Sequence, residues 1–345
     1  ITKIMPKIPD GYMGSPWIHG ISLQPDRPIG FQEDLSSLHT LIVGTTGSGK
    51  TRLFDLLISQ AVLRNEAVII LDPKGDKEMA ENAKRACELA GRPERFKYFH
   101  PAFPEISVRI SPTKNFGRAT EVASRIAALM KSEGGDPFQA FAQMALNNVI
   151  QALLLCGVLP TLVELRRCLE GGLAPLVIRA INAYGSKVHP LYEALQRGAL
   201  ASAKNDEMKA KNLLKLYREE IVPLQPSSDL EGLLSMFEHD KAHFGKMIAS
   251  LLPVLNMLTS GHMGPILSPN MDDPEDEREI TDSSKVIQGA EVLYMGLDSL
   301  SDSMVGSAIG SIFLADLAAV AGQRYNFGDA EELKRRPVNI FVDEA

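Results

Sequence analysis

An eight-residue stretch, GTTGSGKT at 44–51, has the residue types and the spacing of a phosphate-binding loop. It satisfies the pattern G-x-x-x-x-G-K-[ST] in full. The glycines let backbone N–H groups surround a phosphate, and the N-terminus of a following helix adds partial positive charge. We expect Lys50 to reach the β and γ phosphates of ATP and the Thr51 hydroxyl to ligate Mg²⁺. The predicted cofactor-binding residues are Gly44, Thr45, Thr46, Gly47, Ser48, Gly49, Lys50, Thr51 and Arg52.

A second candidate site lies at the far end of the chain, where the apolar run NIFV is followed by two acids. Asp343 ends this run, a position from which a carboxylate can hold Mg²⁺ in nucleotide hydrolases. Glu344 follows directly and could polarise an attacking water. Such runs are common at strand ends, but together with the loop at 44–51 this one favours a mechanical ATPase. Lys50 and Glu344 are therefore the predicted catalytic residues, and Thr51 and Asp343 the predicted Mg²⁺ ligands.

The elements around the loop alternate between strand and helix. LIVG before the loop is predicted to be a short buried strand, and residues 52–64 carry apolar side chains at helical spacing. AVIILD at 67–72 predicts a second buried strand, and Asp76 an N-cap for a helix that ends near Gly91. This alternation predicts an α/β fold with a mostly parallel sheet.

The segment LDPKGD at 71–76 ends the second predicted strand. Pro, Gly and Asp favour a simple strand-to-helix turn. The position also places Asp72 at the carboxyl edge of the sheet, where ligands bind in open α/β folds. Both interpretations remain open at the level of sequence.

From about residue 116 to 244 strand-like runs give way to successive helices, which predicts an inserted all-α domain. Pro137 is expected at the start of one helix, and Thr161 with Glu164 has capping-box spacing before a helix that Gly171 and Gly172 end. Residues 244–260 predict a helix kinked at Pro253. A polar acidic loop at 268–284, a strand in AEVLYMGL and a helix at 302–322 follow before the final strand.

Composition limits the classes of function. The chain has 345 residues, a formal net charge of −7 and three widely spaced cysteines, Cys87, Cys156 and Cys168. It can bury a substantial core, and neither a zinc site nor a disulfide framework is suggested. The acidic total does not exclude DNA, because binding needs only a local basic surface. The most apolar run, 308–322, is interrupted by Asp316 and predicts no membrane-spanning helix.

Five segments together resemble one family. They are similar to sequences of type IV coupling proteins, the conjugative DNA-transfer ATPases of the TraD/TraG type. The segments are HTLIVGTTGSGKT, VIILDPKGD, FKYFHPAFPEISVRISP, GDPFQAFAQ and FVDEA. The resemblance runs from about Phe31 to Ala345. It includes the long helical region between the second strand and the Walker B strand, which is the final strand ending at Asp343. Septal DNA translocases have a similar loop, but their Walker B strand follows much sooner.

The resemblance implies a RecA-like P-loop NTPase that hydrolyses ATP, forms a homo-hexamer and couples a complex of single-stranded DNA and relaxase to a type IV secretion channel. It implies a location at the cytoplasmic face of the bacterial inner membrane, with membrane attachment through segments outside this chain. The implied organisation is a nucleotide-binding domain in two parts, 1–115 with Walker A and 245–345 ending at Walker B, with the all-α domain at 116–244 inserted between them.

Two alternatives remain beside this interpretation. One is a septal-type DNA translocase, and the other is a nucleotide-gated adaptor that recruits substrate proteins without pumping DNA. Two weaker signals favour ordinary surfaces. His239 and His243 could place two imidazoles on one helix face but lack an evident third ligand. The basic stretch KNDEMKAKNLLKLYREE is partly neutralised by its own acids and fits a surface helix better than a phosphate-binding one.

Overall fold

The computed structural model describes residues 39–45, 47–130, 137–239, 245, 248–270, 273–328 and 337–343. The side chains of 137 and 138 lie outside this description. The chain divides into two compact units. The first contains Ile1–Tyr98, Val286–Gly296 and Lys334–Ala345, and the second contains Phe99–Lys285 and Leu297–Leu333.

The described elements follow one another in the order expected from an α/β unit interrupted by helices. They are α1 (Lys50–Leu63), β1 (Ala67–Asp72), α2 (Lys77–Leu89), β2 (Phe96–Phe99), β3 (Arg109–Ile110), α3 (Ala119–Ala127), α4 (Pro137–Leu155), α5 (Leu162–Glu170), α6 (Ala174–Val188), α7 (Tyr192–Leu200), α8 (Asp206–Leu216), α9 (Ser228–Glu238), α10 (Leu251–Thr259), α11 (Met263–Leu267), β4 (Ile280–Thr281), α12 (Ser283–Gln288), β5 (Val292–Gly296), α13 (Ser303–Phe327) and β6 (Val338–Val342). A short 3₁₀ turn covers Pro93–Arg95, and one π-helical turn covers Tyr217–Ile221.

The first unit is built around a sheet with the strand order β2-β5-β1-β6. Strand β1 pairs in parallel with β5 on one side, with Asp72 opposite Gly296, and with β6 on the other, with Leu71 opposite Val342. All six residues of β1 are buried, as a strand between two neighbours and under helices requires. The predicted mixed α/β class with a parallel sheet is confirmed.

Helix α1 runs antiparallel to β1. A three-residue connection with Asn65 in the left-handed region (φ 61°) reverses the chain between them. The helix and the strand are both about 20 Å long, so the N-terminus of α1 lies at the height of the carboxyl end of β1. Apolar side chains of α1 and α2, including Ile58, Val62 and Met79, pack on Val68 and Ile70 of the strand.

A buried arginine locks this arrangement. The Arg95 guanidinium donates to Val62 O at the end of α1 (3.0 Å), to Glu66 O before β1 (2.8 Å) and to Ala290 O before β5 (2.6 Å). Burial lowers the pKa of Arg95, although a guanidinium stays charged at neutral pH. This one side chain therefore ties the end of α1 to the starts of two strands.

The second unit is mainly helical. Helix α3 packs along α4, which in turn packs on α9, while α6 packs on α8 and α5 on α10. Helix α5 begins as predicted, because Thr161 accepts from Glu164 N at 3.2 Å, and it ends at Gly171 and Gly172. The predicted domain boundaries at 115 and 244 stay predictions. Helices α10 and α11 continue the helical region to Leu267.

One buried ion pair links two helices of the second unit. Arg125 of α3 donates to Asp316 of α13 at 2.7 Å, and both side chains are almost fully buried. Ser283 and Asn115 also donate to Asp316, at 2.6 and 3.0 Å. Within the described residues, Ser303–Phe327 is the one helix with the length and composition to cross a membrane, and half of its most apolar window is buried. A buried, paired Asp316 is typical of a core helix.

The predicted strand LIVG is wrong for the described structure. Residues 41–43 form no strand, and Leu41 and Val43 are each 84% exposed. A strand is stabilised by paired neighbours and a covered face, and both edges of β1 are already taken by β5 and β6. Strand β6 is confirmed, but it is not fully buried, because it lies at the end of the strand order and Ile340 is 47% exposed.

Two further predictions are corrected. The helix predicted at 244–260 is interrupted: Ala249 and Ser250 form a turn and α10 begins at Leu251, so Pro253 lies in the first turn of α10, where its missing N–H breaks no helical hydrogen bond. The segment 268–284 contains strand β4, which pairs with β3, so it is not simply a solvated loop. Arg109 of β3 holds the segment by donating to Asp276 O (2.7 Å) and Arg278 O (2.6 Å).

Replacing Arg95 should destabilise the first unit. We expect Arg95→Ala to lower the free energy of unfolding by about 3 kcal/mol, because three carbonyls at two strand starts and a helix end lose a charged donor. Arg92→Ala removes an exposed guanidinium three residues away and should cost below about 1 kcal/mol. Urea unfolding followed by circular dichroism measures both. Equal losses of unfolding free energy in the two variants would contradict this role of Arg95.

Replacing Asp316 should destabilise the second unit. Asp316→Ala leaves Arg125 buried without its carboxylate, which costs about 3–5 kcal/mol in comparable pairs. Glu170→Ala removes the carboxylate of an exposed pair with Arg166 and should cost below about 1 kcal/mol. Urea unfolding monitored by a helical signal compares them, and a loss for Asp316→Ala no larger than that for Glu170→Ala would refute the role of the ion pair.

Candidate functional site

The loop at 44–51 has the backbone conformation of a phosphate cradle. Gly47 and Gly49 have φ values of 79° and 89°, in the left-handed region that glycine adopts without strain. The turn is closed by Ser48 N donating to Thr45 O at 3.1 Å. Thr46 lies outside the described residues. Successive N–H groups in such a turn converge on a concave surface suited to an anion.

Helix α1 begins immediately after this turn. Gly49 is its N-cap and carries no side chain to satisfy the first N–H groups, and no acidic residue occupies the first turn. The N–H groups of Lys50, Thr51 and Arg52 are therefore donors that the helix itself does not use. The aligned peptide dipoles add partial positive charge at the same point. This is the physical basis of an anion site, and it fits a nucleotide phosphate.

The Lys50 ammonium lies on the loop. Its Nζ donates to Gly44 O at 2.6 Å and to Thr45 O at 3.1 Å. These contacts keep the cation beside the concave surface, so a phosphate oxygen bound there could exchange with a loop carbonyl as its partner. The predicted position of Lys50 at the phosphates is consistent with this geometry.

Asp343 lies at the same edge of the sheet as the start of α1. Its N–H donates to Leu71 O at 3.0 Å, which extends the pairing of β6 with β1 and sets Asp343 beside Asp72. Phe54, one turn into α1, packs edge to face on Phe341 of β6 with ring centroids 5.7 Å apart. Since Thr51 precedes Phe54 by three residues and Asp343 follows Phe341 by two, both lie toward the carboxyl edge of the sheet.

The Thr51 hydroxyl and the Asp343 carboxylate are oxygen ligands of the kind that Mg²⁺ prefers. The donor set therefore fits the predicted metal. Glu344, the predicted water-orienting base, lies outside the described residues. The structure thus places Lys50, Thr51 and Asp343 toward one edge of the sheet, and their roles stay predictions.

Asp72 has a structural environment, in agreement with the turn interpretation. Its carboxylate is fully buried and accepts from Lys74 N, Gly75 N and Asp76 N, at 2.9, 3.1 and 2.6 Å. The Tyr294 hydroxyl donates to it at 2.7 Å. Burial, and then the neighbouring Asp72, raise the pKa of Tyr294, so that hydroxyl stays a donor. The Asp72 oxygens are used to close the turn between β1 and α2.

Arg52 is held by carboxylates that sequence reasoning did not single out. Its guanidinium lies 2.8 Å from Glu78 Oε1 on α2 and 3.4 Å from Asp55 Oδ2 on α1. Asn82 of α2 donates to the same Asp55 oxygen at 3.0 Å. The spacing of Arg52 and Asp55 is a readable helical pair, whereas the contact with Glu78 depends on how the two helices pack.

The two weaker signals fall on the helical unit. His239 is described and His243 lies outside the described residues. Among the residues that the structure describes, no group of three or more His, Cys, Asp or Glu side chains could hold a metal ion. The lysines of α8 lie near acids three or four residues away: Lys209 to Asp206 (2.9 Å), Lys211 to Glu207 (3.7 Å) and Lys215 to Glu219 (3.8 Å). These pairs favour a surface helix.

Comparison with known proteins finds one family similar to the loop region. Residues 28–114 match the family model described as the central domain of helicase HerA. The match includes the phosphate loop, β1 and the turn after it, so this part of the chain is similar to a P-loop ATPase domain of the HerA type. The match covers a minor part of the chain. No curated protein matches.

Among solved structures, the chain is similar to a plasmid coupling protein, TrwB, in complex with the non-hydrolysable GTP analogue GDPNP. The sequences are 16% identical, and the alignment covers 78% of this chain and 67% of that chain. The TM-score is 0.27, which is too low to support an argument about fold or function.

Asp72 and Asp343 should respond differently to the same substitution. Asp72→Asn replaces an acceptor with a donor facing N–H and O–H groups and should lower the free energy of unfolding by about 2–3 kcal/mol. Asp343→Asn should unfold within about 1 kcal/mol of the parent but lose Mg²⁺-dependent strengthening of ATP binding. Urea unfolding and ATP titrations with and without Mg²⁺ measure the two effects. If Asp343→Asn retained the full Mg²⁺ effect, the assignment of Asp343 would be wrong.

Proposed function

We propose that this polypeptide is the ATP-hydrolysing motor of a coupling protein that drives relaxase-bound single-stranded DNA into a type IV secretion channel during conjugation. The observation that carries the proposal is the convergence of three groups. All three lie at one edge of the sheet: the phosphate loop, the N-terminus of α1 with Lys50 and Thr51, and Asp343 at the end of β6. The match of 28–114 to the central domain of a helicase supports a motor that acts on DNA.

The residues would have the following roles. The loop N–H groups and Lys50 bind the phosphates and stabilise charge that develops on them during hydrolysis. Bound Mg²⁺, held by Thr51 and Asp343, supplies neutralisation of phosphate charge. Glu344 orients the attacking water. The fold would be of the RecA-like P-loop class.

The partners in this proposal come from the family resemblance. They are a complex of single-stranded DNA with a relaxase, the components of a type IV secretion channel, and further copies of the chain in a homo-hexamer. The protein would act at the cytoplasmic face of the bacterial inner membrane, attached through segments outside this chain.

A septal-type DNA translocase is the second candidate, because the helicase match alone does not distinguish the two. The helical region from α3 to α11 favours the coupling protein. A nucleotide-gated adaptor without pumping activity is favoured less, since the matched family is a helicase.

The direct test is the ATP hydrolysis rate of the polypeptide with single-stranded DNA, with double-stranded DNA and with no DNA. We expect turnover to rise with single-stranded DNA and to fall about 100-fold or more in Lys50→Ala, because a cation at the transferred phosphate is lost. Lys84→Ala removes an exposed lysine of α2, away from the loop, and should retain the parent rate.

Three outcomes would count against parts of the proposal. Unchanged turnover in Lys50→Ala would refute the site. Stimulation by double-stranded DNA alone would favour the septal-type translocase, and hydrolysis that neither DNA alters would favour the adaptor.

A further inference from the structure

The first turns of α1 and α2 are joined by a cluster of charged side chains beside the phosphate loop. Arg52 is the third residue of α1, and Glu78 is the second residue of α2. Their 2.8 Å contact, with Asp55 at 3.4 Å from the same guanidinium, is the cluster. Nothing in the phosphate-loop pattern requires these two carboxylates.

The contact between Arg52 and Glu78 is weak enough to exchange. Their side chains are 70% and 61% exposed, and pairs of this kind contribute at most about 1 kcal/mol. Glu78 also lies in the first turn of α2, where the helix dipole stabilises its charge without Arg52. Asp55 retains the hydrogen bond from Asn82. Releasing Arg52 from these partners therefore costs little.

Arg52 lies in the first turn of α1, the turn whose unused N–H groups would meet a phosphate. Cα–Cβ bonds of a helix tilt toward its N-terminus, so the long side chain of Arg52, once released from Glu78, can reach an anion at the loop end of α1. Guanidinium groups bind phosphate with two parallel hydrogen bonds, which are stronger than one contact to an exposed carboxylate. A nucleotide bound at the α1 N-terminus thus competes directly with Glu78 for Arg52.

We propose that Arg52 exchanges Glu78 for a phosphate of the bound nucleotide, so that Glu78 restrains nucleotide affinity. This inference rests on the proposed nucleotide site and adds its regulation. The exchange breaks the bridge between the first turns of α1 and α2. Nucleotide occupancy is thereby linked to the start of α2, which the Asp72 turn anchors to β1.

The sign of one substitution separates this role from a structural one. If Glu78 competes for Arg52, Glu78→Gln should tighten binding of the β,γ-imido analogue of ATP by about 2- to 5-fold, the value of an exposed ion pair. If the pair only holds the helices in place, the same change should weaken binding. Glu81→Gln is the matched control, because Glu81 is an exposed acid of the same helix and its loss changes the net charge equally.

The double variant completes the test. Arg52→Gln should weaken binding about 10-fold, the loss of a charge-assisted hydrogen bond, and Arg52→Lys should recover part of it. In Arg52→Gln/Glu78→Gln the gain from Glu78→Gln should vanish, since the residue it frees is absent. Titration calorimetry at low salt measures all the affinities.

The proposal is overturned if Glu78→Gln binds no more tightly than Glu81→Gln, or if its gain survives in the double variant. These results differ from failure of the nucleotide site itself. In that case the parent polypeptide would not bind the analogue, or Lys50→Ala would bind it as tightly as the parent does.

Discussion

The antiparallel placement of α1 along β1 is the constraint on which the candidate site depends. A helix and a strand of nearly equal length, joined by the tight turn at Asn65, must bring the start of the helix level with the end of the strand. The apolar core between them supplies the favourable burial, and Arg95 fixes their far ends by its three carbonyl contacts. Arg95 thus fixes the C-terminal end of α1, and the phosphate loop at the N-terminal end of α1 lies at the carboxyl edge of the sheet.

That edge carries two neighbouring acids with different surroundings. Asp72 is buried, and its carboxylate oxygens accept hydrogen bonds from the turn into α2 and from Tyr294. Asp343 follows a half-exposed edge strand and shares the edge with the first turn of α1. The parallel pairing that sets them side by side does not decide their roles; the hydrogen bonds around each carboxylate do. The Asp72 turn holds the start of α2, and there Glu78 contacts Arg52 of α1.

Local signals in the sequence predicted much of this correctly. Asp76 caps α2 and Thr161 caps α5, because caps depend on residues two or three positions away. Contacts between residues far apart in the sequence could not be predicted. Arg95 meets a carbonyl 195 residues along the chain, and Glu78 reaches Arg52 only through helix packing. The run at 41–43 has strand-forming residues but no described partner strand, so composition alone predicted a strand that is not formed.

The most direct measurement of the central claim is amide hydrogen exchange with and without saturating Mg²⁺ and ATP. Binding of phosphate by the loop and the first turn of α1 predicts slower exchange at the N–H groups of 47–52, with α5 as an internal control that stays unchanged. Saturating ATP that leaves 47–52 unprotected, or that protects only the helical unit, would contradict the account.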